Sequence, residues 1–306
     1  MAQTVIENPV INSPFREPRR HFKFSDDGIT DEIIESRRVS SYFMPVPATK
    51  KRGKQLLLDT EWTQPRIEEN KFINQVRGRV AEWRQGGHKG VSRTTAQLLD
   101  YWTRPDRERP LFFCQIEALE TIIYLAEIAP KIGDAWIDNQ LREANAASNP
   151  ELFRIAVKMA TGSGKTVVMA MLIAWHALNK LANPRDDRFS DTFLVVTPGI
   201  TIRDRLRVLL PNDPENYYRK MDVVPVEQLA ELHQAKVLIT NFHAFLLRER
   251  TSLSKVNKAI LRGWRPTEGE PGVFTETPDQ MVRRVCRELG NKRKIVVLND
   301  EGRCGA

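Results

Sequence analysis

Residues 160–166 read Ala-Thr-Gly-Ser-Gly-Lys-Thr and directly follow the apolar run Leu152-Phe153-Arg154-Ile155-Ala156-Val157. An apolar strand that enters a glycine loop ending in Lys-Thr has the chemistry of a triphosphate cradle. Such a loop bends backbone N–H groups toward one point, where an anion can sit. A helix starting at Lys165 would turn its positive end to the same point. Gly162 and Gly164 permit close backbone approach and positive φ. Thr161 and Ser163 complete the cradle. Lys165 would reach the β- and γ-phosphates, and the Thr166 hydroxyl would ligate Mg²⁺. The strict pattern G-x-x-x-x-G-K-[ST] is not met, because Met159 stands where its first glycine belongs; the shorter A-x-G-x-G-K-T is met. A chance glycine turn before a helix is the plain alternative, and the strand-loop-helix context argues against it.

A phosphate loop needs a partner that holds the metal. Four apolar residues, Ile295-Val296-Val297-Leu298, run into Asn299-Asp300-Glu301. An acidic residue at the carboxyl end of a parallel strand points into the crevice where ligands bind. Asp300 would hold Mg²⁺ through water, and Glu301 would orient or deprotonate the attacking water. Alone, an Asp-Glu pair after a strand is as well explained by a solvated loop. Its position downstream of the glycine loop, with strands and helices alternating between, makes the pair specific.

These groups require a scaffold, and the pattern supplies one. Helices are expected at about 67–85, at Thr95 to Trp102, at 112–129, at 165–180, at about 200–210 and at 278–289, the last opened by the cap pair Thr277-Pro278. In the first, Phe72, Ile73, Val76, Val80 and Trp83 share one face, and Gly86-Gly87 ends it. Strands are expected at 152–158, 193–196, 236–240 and 294–298. They are near-continuous apolar runs, as when helices cover both faces of a parallel sheet. The fold class is therefore α/β. Residues 1–60 are rich in proline and charge and read as an extended arm, with edge-strand pieces at His21-Phe22-Lys23-Phe24 and Ser41-Tyr42-Phe43-Met44. Residues 61–109 read as a helical N-terminal region and 110–306 as the α/β domain that carries the glycine loop. The stretch 248–275 turns Gly/Pro-rich and reads as an exposed insertion.

Composition narrows the class. The chain has 306 residues, 41% of them hydrophobic, and a net charge of +8; the sequence pI is about 9.5. A polyanion partner fits that balance. Cys114, Cys286 and Cys304 are scattered without metal-like spacing, so a reducing compartment, the cytoplasm, is expected. No apolar run approaches the ~20 residues that cross a bilayer, and the first residues lack signal-peptide character.

Gln115, the loop 160–166, Thr197-Pro198-Gly199 and Asp300-Glu301 together resemble the first motor domain of superfamily 2 helicases. Within these, Phe112 to Ala118, Val237 to Phe242 and Val297 to Glu301 resemble the helicase (Res) subunits of type III restriction enzymes, a DEAD/DEAH-type branch. The resemblance covers about 110–301 and implies a RecA-like P-loop NTPase domain that couples ATP hydrolysis to movement on DNA. It implies that Gln115 reads adenine, a role suited to an amide that gives one hydrogen bond and accepts another. It implies that Thr197, Pro198 and Gly199 hold a phosphate of the tracked strand, with Arg203 on the following helix adding charge. Arg205 and Arg207 lie on that helix too, and a solvated face explains at least two of the three. A modification or nuclease subunit is an implied partner; a membrane is not.

Two departures stand out. The family continues after Asp-Glu with Ala-His, whereas this sequence has Gly302-Arg303-Cys304-Gly305-Ala306, so Arg303 takes the place of the first His. The later coupling motif and second motor domain do not follow, and the expectation is a truncated product whose motor domain is incomplete at its carboxyl end. Two other readings stand beside the motor fragment. One is a nucleotide- or DNA-binding remnant without turnover. The other is a different phosphate-loop enzyme, such as a small-molecule kinase.

Overall fold

The computed structural model describes residues 8–25, 28–44, 66–148, 151–248, 276–290, 292 and 294–300. Two compact units emerge, Met1–Ser92 with Trp102–Ser163, and Arg93–Tyr101 with Gly164–Ala306.

In the first unit, the two apolar pieces of the arm are strands, each in an antiparallel pair. Strand β1 (His21–Ser25) pairs antiparallel with β2 (Gly28–Ile34), with a register shift between Phe22 and Phe24. Strand β3 (Ser41–Met44) pairs antiparallel with β4 (Arg66–Glu69). The expected helix at 67–85 therefore begins later, as α1 (Lys71–Gln85), because its first residues are taken by β4. Asn74 fastens this junction: its Oδ1 accepts from the Ser40 N–H at 2.8 Å and its Nδ2 donates to the Ser40 carbonyl at 3.1 Å. Helix α1 buries Val76, Val80 and Trp83, at helical spacing.

Helix α3 (Phe113–Ile123) buries Ala118, Leu119 and Ile123 and runs on as a π-helical turn over Tyr124–Ile128. Helix α4 (Ala135–Ser148) then buries Ile137. The Tyr124 hydroxyl donates to Asp134 Oδ2, and the Trp136 indole N–H donates to Asp134 Oδ1 at 3.1 Å.

The run 152–158, expected as a strand, is not one. It joins no ladder among the described residues. Leu152, Phe153, Ile155 and Val157 are 41–58% exposed. The Arg154 N–H bonds the Asn145 side chain at 3.0 Å, and Arg142 lies over the Phe153 ring. A strand exists only through a neighbouring backbone, and here the neighbours are side chains of α4.

In the second unit, helix α2 (Arg93–Thr103) contributes Thr95. Helix α5 (Lys165–Ala182) is its longest element, with ten buried residues from Val167 to Asn179. The Thr95 hydroxyl oxygen accepts from the Trp175 indole N–H at 2.9 Å and from Asn179 Nδ2 at 3.0 Å. Strand β5 (Thr192–Thr197) is the centre of a three-stranded parallel sheet between β6 (Lys236–Asn241) and β7 (Val296–Asn299). Helix α5 meets β5 through the edge of His176 on Phe193 at 6.2 Å, and the segment before β5 through Trp175 on Phe189 at 5.3 Å. Trp175, Phe189 and Phe193 are each at most 1% exposed, worth ~1.5–3 kcal/mol apiece for the larger apolar side chains.

The expected helix at 200–210 is α6 (Ile200–Arg205) followed by a 3₁₀ turn over Leu206–Leu209. Two short helices, α7 (Tyr217–Lys220) and α8 (Val226–Leu232), precede β6. Helix α9 (Pro278–Val285) starts at the expected Thr277-Pro278 pair. The Thr277 hydroxyl oxygen accepts from the Gln280 N–H, and Gln280 Oε1 accepts from the Thr277 N–H, both at 3.3 Å. The expected insertion at 248–275 lies, from residue 249 on, outside the described residues.

Candidate functional site

The glycine loop has the backbone its sequence implies. Gly162 and Gly164 adopt φ of 80° and 81°, a region that L side chains rarely enter. Gly164 caps α5, whose first residue is Lys165. The first N–H groups of a helix have no intrahelical acceptor. The Lys165 ammonium and Thr166 hydroxyl, both half-buried, have no hydrogen-bond or ion-pair partner among the described residues. That donor set fits an anionic phosphate and its metal. Deep burial of Val167, Val168, Ala170 and Met171 holds the start of α5 in place. Thr161 and Gly162 are exposed, and Ser163 folds back so that its N–H and hydroxyl both bond the Ala160 carbonyl, at 3.3 and 2.6 Å.

Gln115 is 5% exposed and does two things at once. Its Oε1 accepts from the Phe112 N–H at 2.9 Å, closing the first turn of α3, and its Nε2 donates to the Ser163 carbonyl at 3.1 Å. The amide thus ties α3 to the glycine loop, keeping one N–H and one lone pair. This tie is more than a polar residue in a first turn would need.

The carboxyl ends of the three described parallel strands bring a second set of the expected residues together. Thr197 stands opposite Asn241, and Val196 opposite Asn299. The Asp300 N–H donates to the Val196 carbonyl at 3.0 Å, extending β7 by one step. Register therefore brings Thr197, Asn241 and Asp300 to one edge of the sheet, the end where α/β sheets bind ligands. Thr197 is 1% exposed and its hydroxyl donates to the Gly199 carbonyl at 2.9 Å, shaping the Thr-Pro-Gly turn. Asn241 was not singled out from the sequence; its Oδ1 accepts from the Ala244 N–H at 3.0 Å and starts the 3₁₀ turn Phe242–Phe245. Its place at the end of an apolar run, like Asp300's, was the available signal.

Of the arginines after that turn, Arg203 lies on Asp204 at 3.0 Å and Arg207 on Asp213 at 3.4 Å, while Arg205 is exposed. Glu301 lies outside the described residues. No cluster of three His, Cys, Asp or Glu residues that could hold a metal ion exists among the described residues. No described helix is long and apolar enough to cross a membrane.

Sequence reasoning missed the charged group around α3. Glu120, with no exposed surface, receives a bidentate pair from Arg84, Nε on Oε1 at 3.0 Å and Nη2 on Oε2 at 2.6 Å, and the His88 ring Nε2 lies 2.8 Å from its Oε1. Burial works against its charge, yet His88 and Arg84 outweigh burial and hold the carboxyl below its usual range. Arg37 makes a bidentate pair with Glu117, both bonds 2.6 Å.

A family model described as type III restriction enzyme, res subunit, matches residues 109–302, well over half of the chain. No curated protein and no solved structure matches it.

Proposed function

Since the chain belongs to the type III restriction enzyme res-subunit family, with its superfamily 2 helicase-type, RecA-like motor domain, we propose that it binds Mg-ATP at the glycine loop and engages DNA at the strand ends. The observation that carries this reading is the loop itself. Two glycines in left-handed conformation lead into a helix whose first residue is a lysine without a partner among the described residues. In this reading Lys165 holds the β- and γ-phosphates, and the first N–H groups of α5 share the anion's charge. Thr166 and Asp300 hold the metal, which when bound supplies Lewis-acid charge to the phosphoryl oxygens. Glu301 orients the attacking water. Gln115 offers its remaining N–H and lone pair to the adenine edge. Thr197, Pro198, Gly199 and Arg203 meet the phosphates of the tracked strand.

The experiment is calorimetry of Mg-ATP on the wild type and on Lys165→Ala. The uncharged variant loses a charge-assisted bond of about 1.5–3 kcal/mol and is expected to bind at least tenfold more weakly. Equal affinities would sink the assignment. A steady-state ATPase assay with and without DNA then separates a motor from a nucleotide-binding protein without turnover, and from an enzyme indifferent to DNA.

A further inference from the structure

The N-terminal arm does not hang free of the loop's neighbourhood. The Pro14 carbonyl accepts the Phe113 N–H at 2.8 Å, satisfying an N–H that α3 itself leaves open. The Phe15 ring packs on Phe112, with centroids 5.5 Å apart. Further along the arm, Arg37 reaches α3 with its bidentate pair to Glu117, and the same guanidinium donates to Glu17 at 2.8 Å. Arg84 adds weaker contacts to Glu17 and Glu117, at 3.6 and 3.8 Å. The guanidinium groups of Arg37 and Arg84 both lie over the Phe113 ring, at 5.4 and 4.9 Å. The arm thus grips Phe112, Phe113 and Glu117, the residues on either side of Gln115.

Gln115 is the point where α3 meets the loop, through the Ser163 carbonyl. We propose that the arm, residues 8–25 and 28–44, is a working part of the nucleotide site, with Arg37 as a positioning residue. It holds the first turns of α3 so that the Gln115 amide stays on Ser163 with its free edge aimed at the base. This rests on the nucleotide reading of the loop above. The mechanism is preorganisation. An amide on a frayed first turn must be ordered when nucleotide binds, whereas one already held costs nothing further. Arg37 suits the task because its planar fork fixes direction as well as distance. Lysine would keep the charge and lose the fork.

The test measures Mg-ATP and Mg-GTP affinity of the full chain by calorimetry, with circular dichroism to check folding. The variants are Arg37→Ala, Arg37→Lys and Glu117→Gln, each made alone and with Gln115→Ala. Arg37→Ala is expected to weaken Mg-ATP roughly tenfold, about 1.4 kcal/mol, and to narrow the ATP-to-GTP preference. Arg37→Lys should fall between. In the Gln115→Ala background, Arg37→Ala should change affinity less than twofold, because its effect passes through the missing amide. An equal loss in both backgrounds would make Arg37 a merely structural residue and overturn the proposal. So would wild-type affinity and preference in a folded Arg37→Ala. Should Arg37→Ala fail to fold, Glu117→Gln, which keeps the shape of the pair, carries the same comparison. Equal Mg-ATP binding by wild type and Lys165→Ala would refute the loop reading itself, whatever Arg37 does.

Discussion

Helix α5, which begins at Lys165, carries its own acid sensitivity at His176. The ring is half-buried among Trp175, Phe189 and Phe193, with centroids 4.6, 5.9 and 6.2 Å away, and its Nδ1 is enclosed without a partner among the described residues. Burial pushes the imidazole down from its ordinary 6.5 to about 4. The unfolded chain therefore takes up a proton at a pH where the folded chain does not. Stability is fully present above pH 6.5 and drains as pH falls toward about 4, at ~1.4 kcal/mol per pH unit. Over that window the loss is about 3 kcal/mol, trimmed somewhat because part of the ring remains at the surface. His176→Leu removes the titration and keeps an apolar side chain in the aromatic cluster. Urea unfolding of wild type and variant should be followed by tryptophan fluorescence at pH 7.5, 6.0 and 4.8. The difference in unfolding free energy should move in the variant's favour by roughly 2 kcal/mol between the first and last pH. Parallel pH profiles for the two proteins would refute the reasoning, since no other group differs between them.

Glu120→Gln leaves Arg84 facing a neutral amide in a buried site, and should destabilise the first unit by about 3 kcal/mol, read by urea titration. Glu120 is held ionised in the fold, so its contribution to wild-type stability is present above the ordinary carboxylate range and drains as pH falls from there through the lower value the carboxyl has in the fold. DNA binding is expected to be independent of sequence and to weaken steeply with salt, given the net charge of +8 and counterion release. Fluorescence anisotropy on two unrelated oligomers at two salt concentrations checks this, and a strong sequence preference or a flat salt response would count against it.

What the sequence by itself determined is what short-range covalent spacing controls. Glycines at 162 and 164 ahead of Lys165 can enter the left-handed region without the strain a side chain would bring, and both do. The Thr277-Pro278 start of α9 was likewise legible, because a cap involves only residues three apart. The apolar runs at 193–196 and 236–240 declared themselves as strands by composition, although only the first is buried on both faces and the second, at the side of the sheet, stays half-buried. The run at 152–158 looked the same and is unpaired, since a strand's pairing depends on a partner backbone that its own residues do not encode. Only the tertiary structure decided that β5 lies between β6 and β7, and so that Thr197, Asn241 and Asp300 share one edge. It also decided the fate of the arm. Arg37 and Glu117 are 80 residues apart in the chain, and their pair is 2.6 Å long. Nothing local marks either residue, because a charge on a proline-rich segment reads as solvated until the fold brings its counter-charge to it.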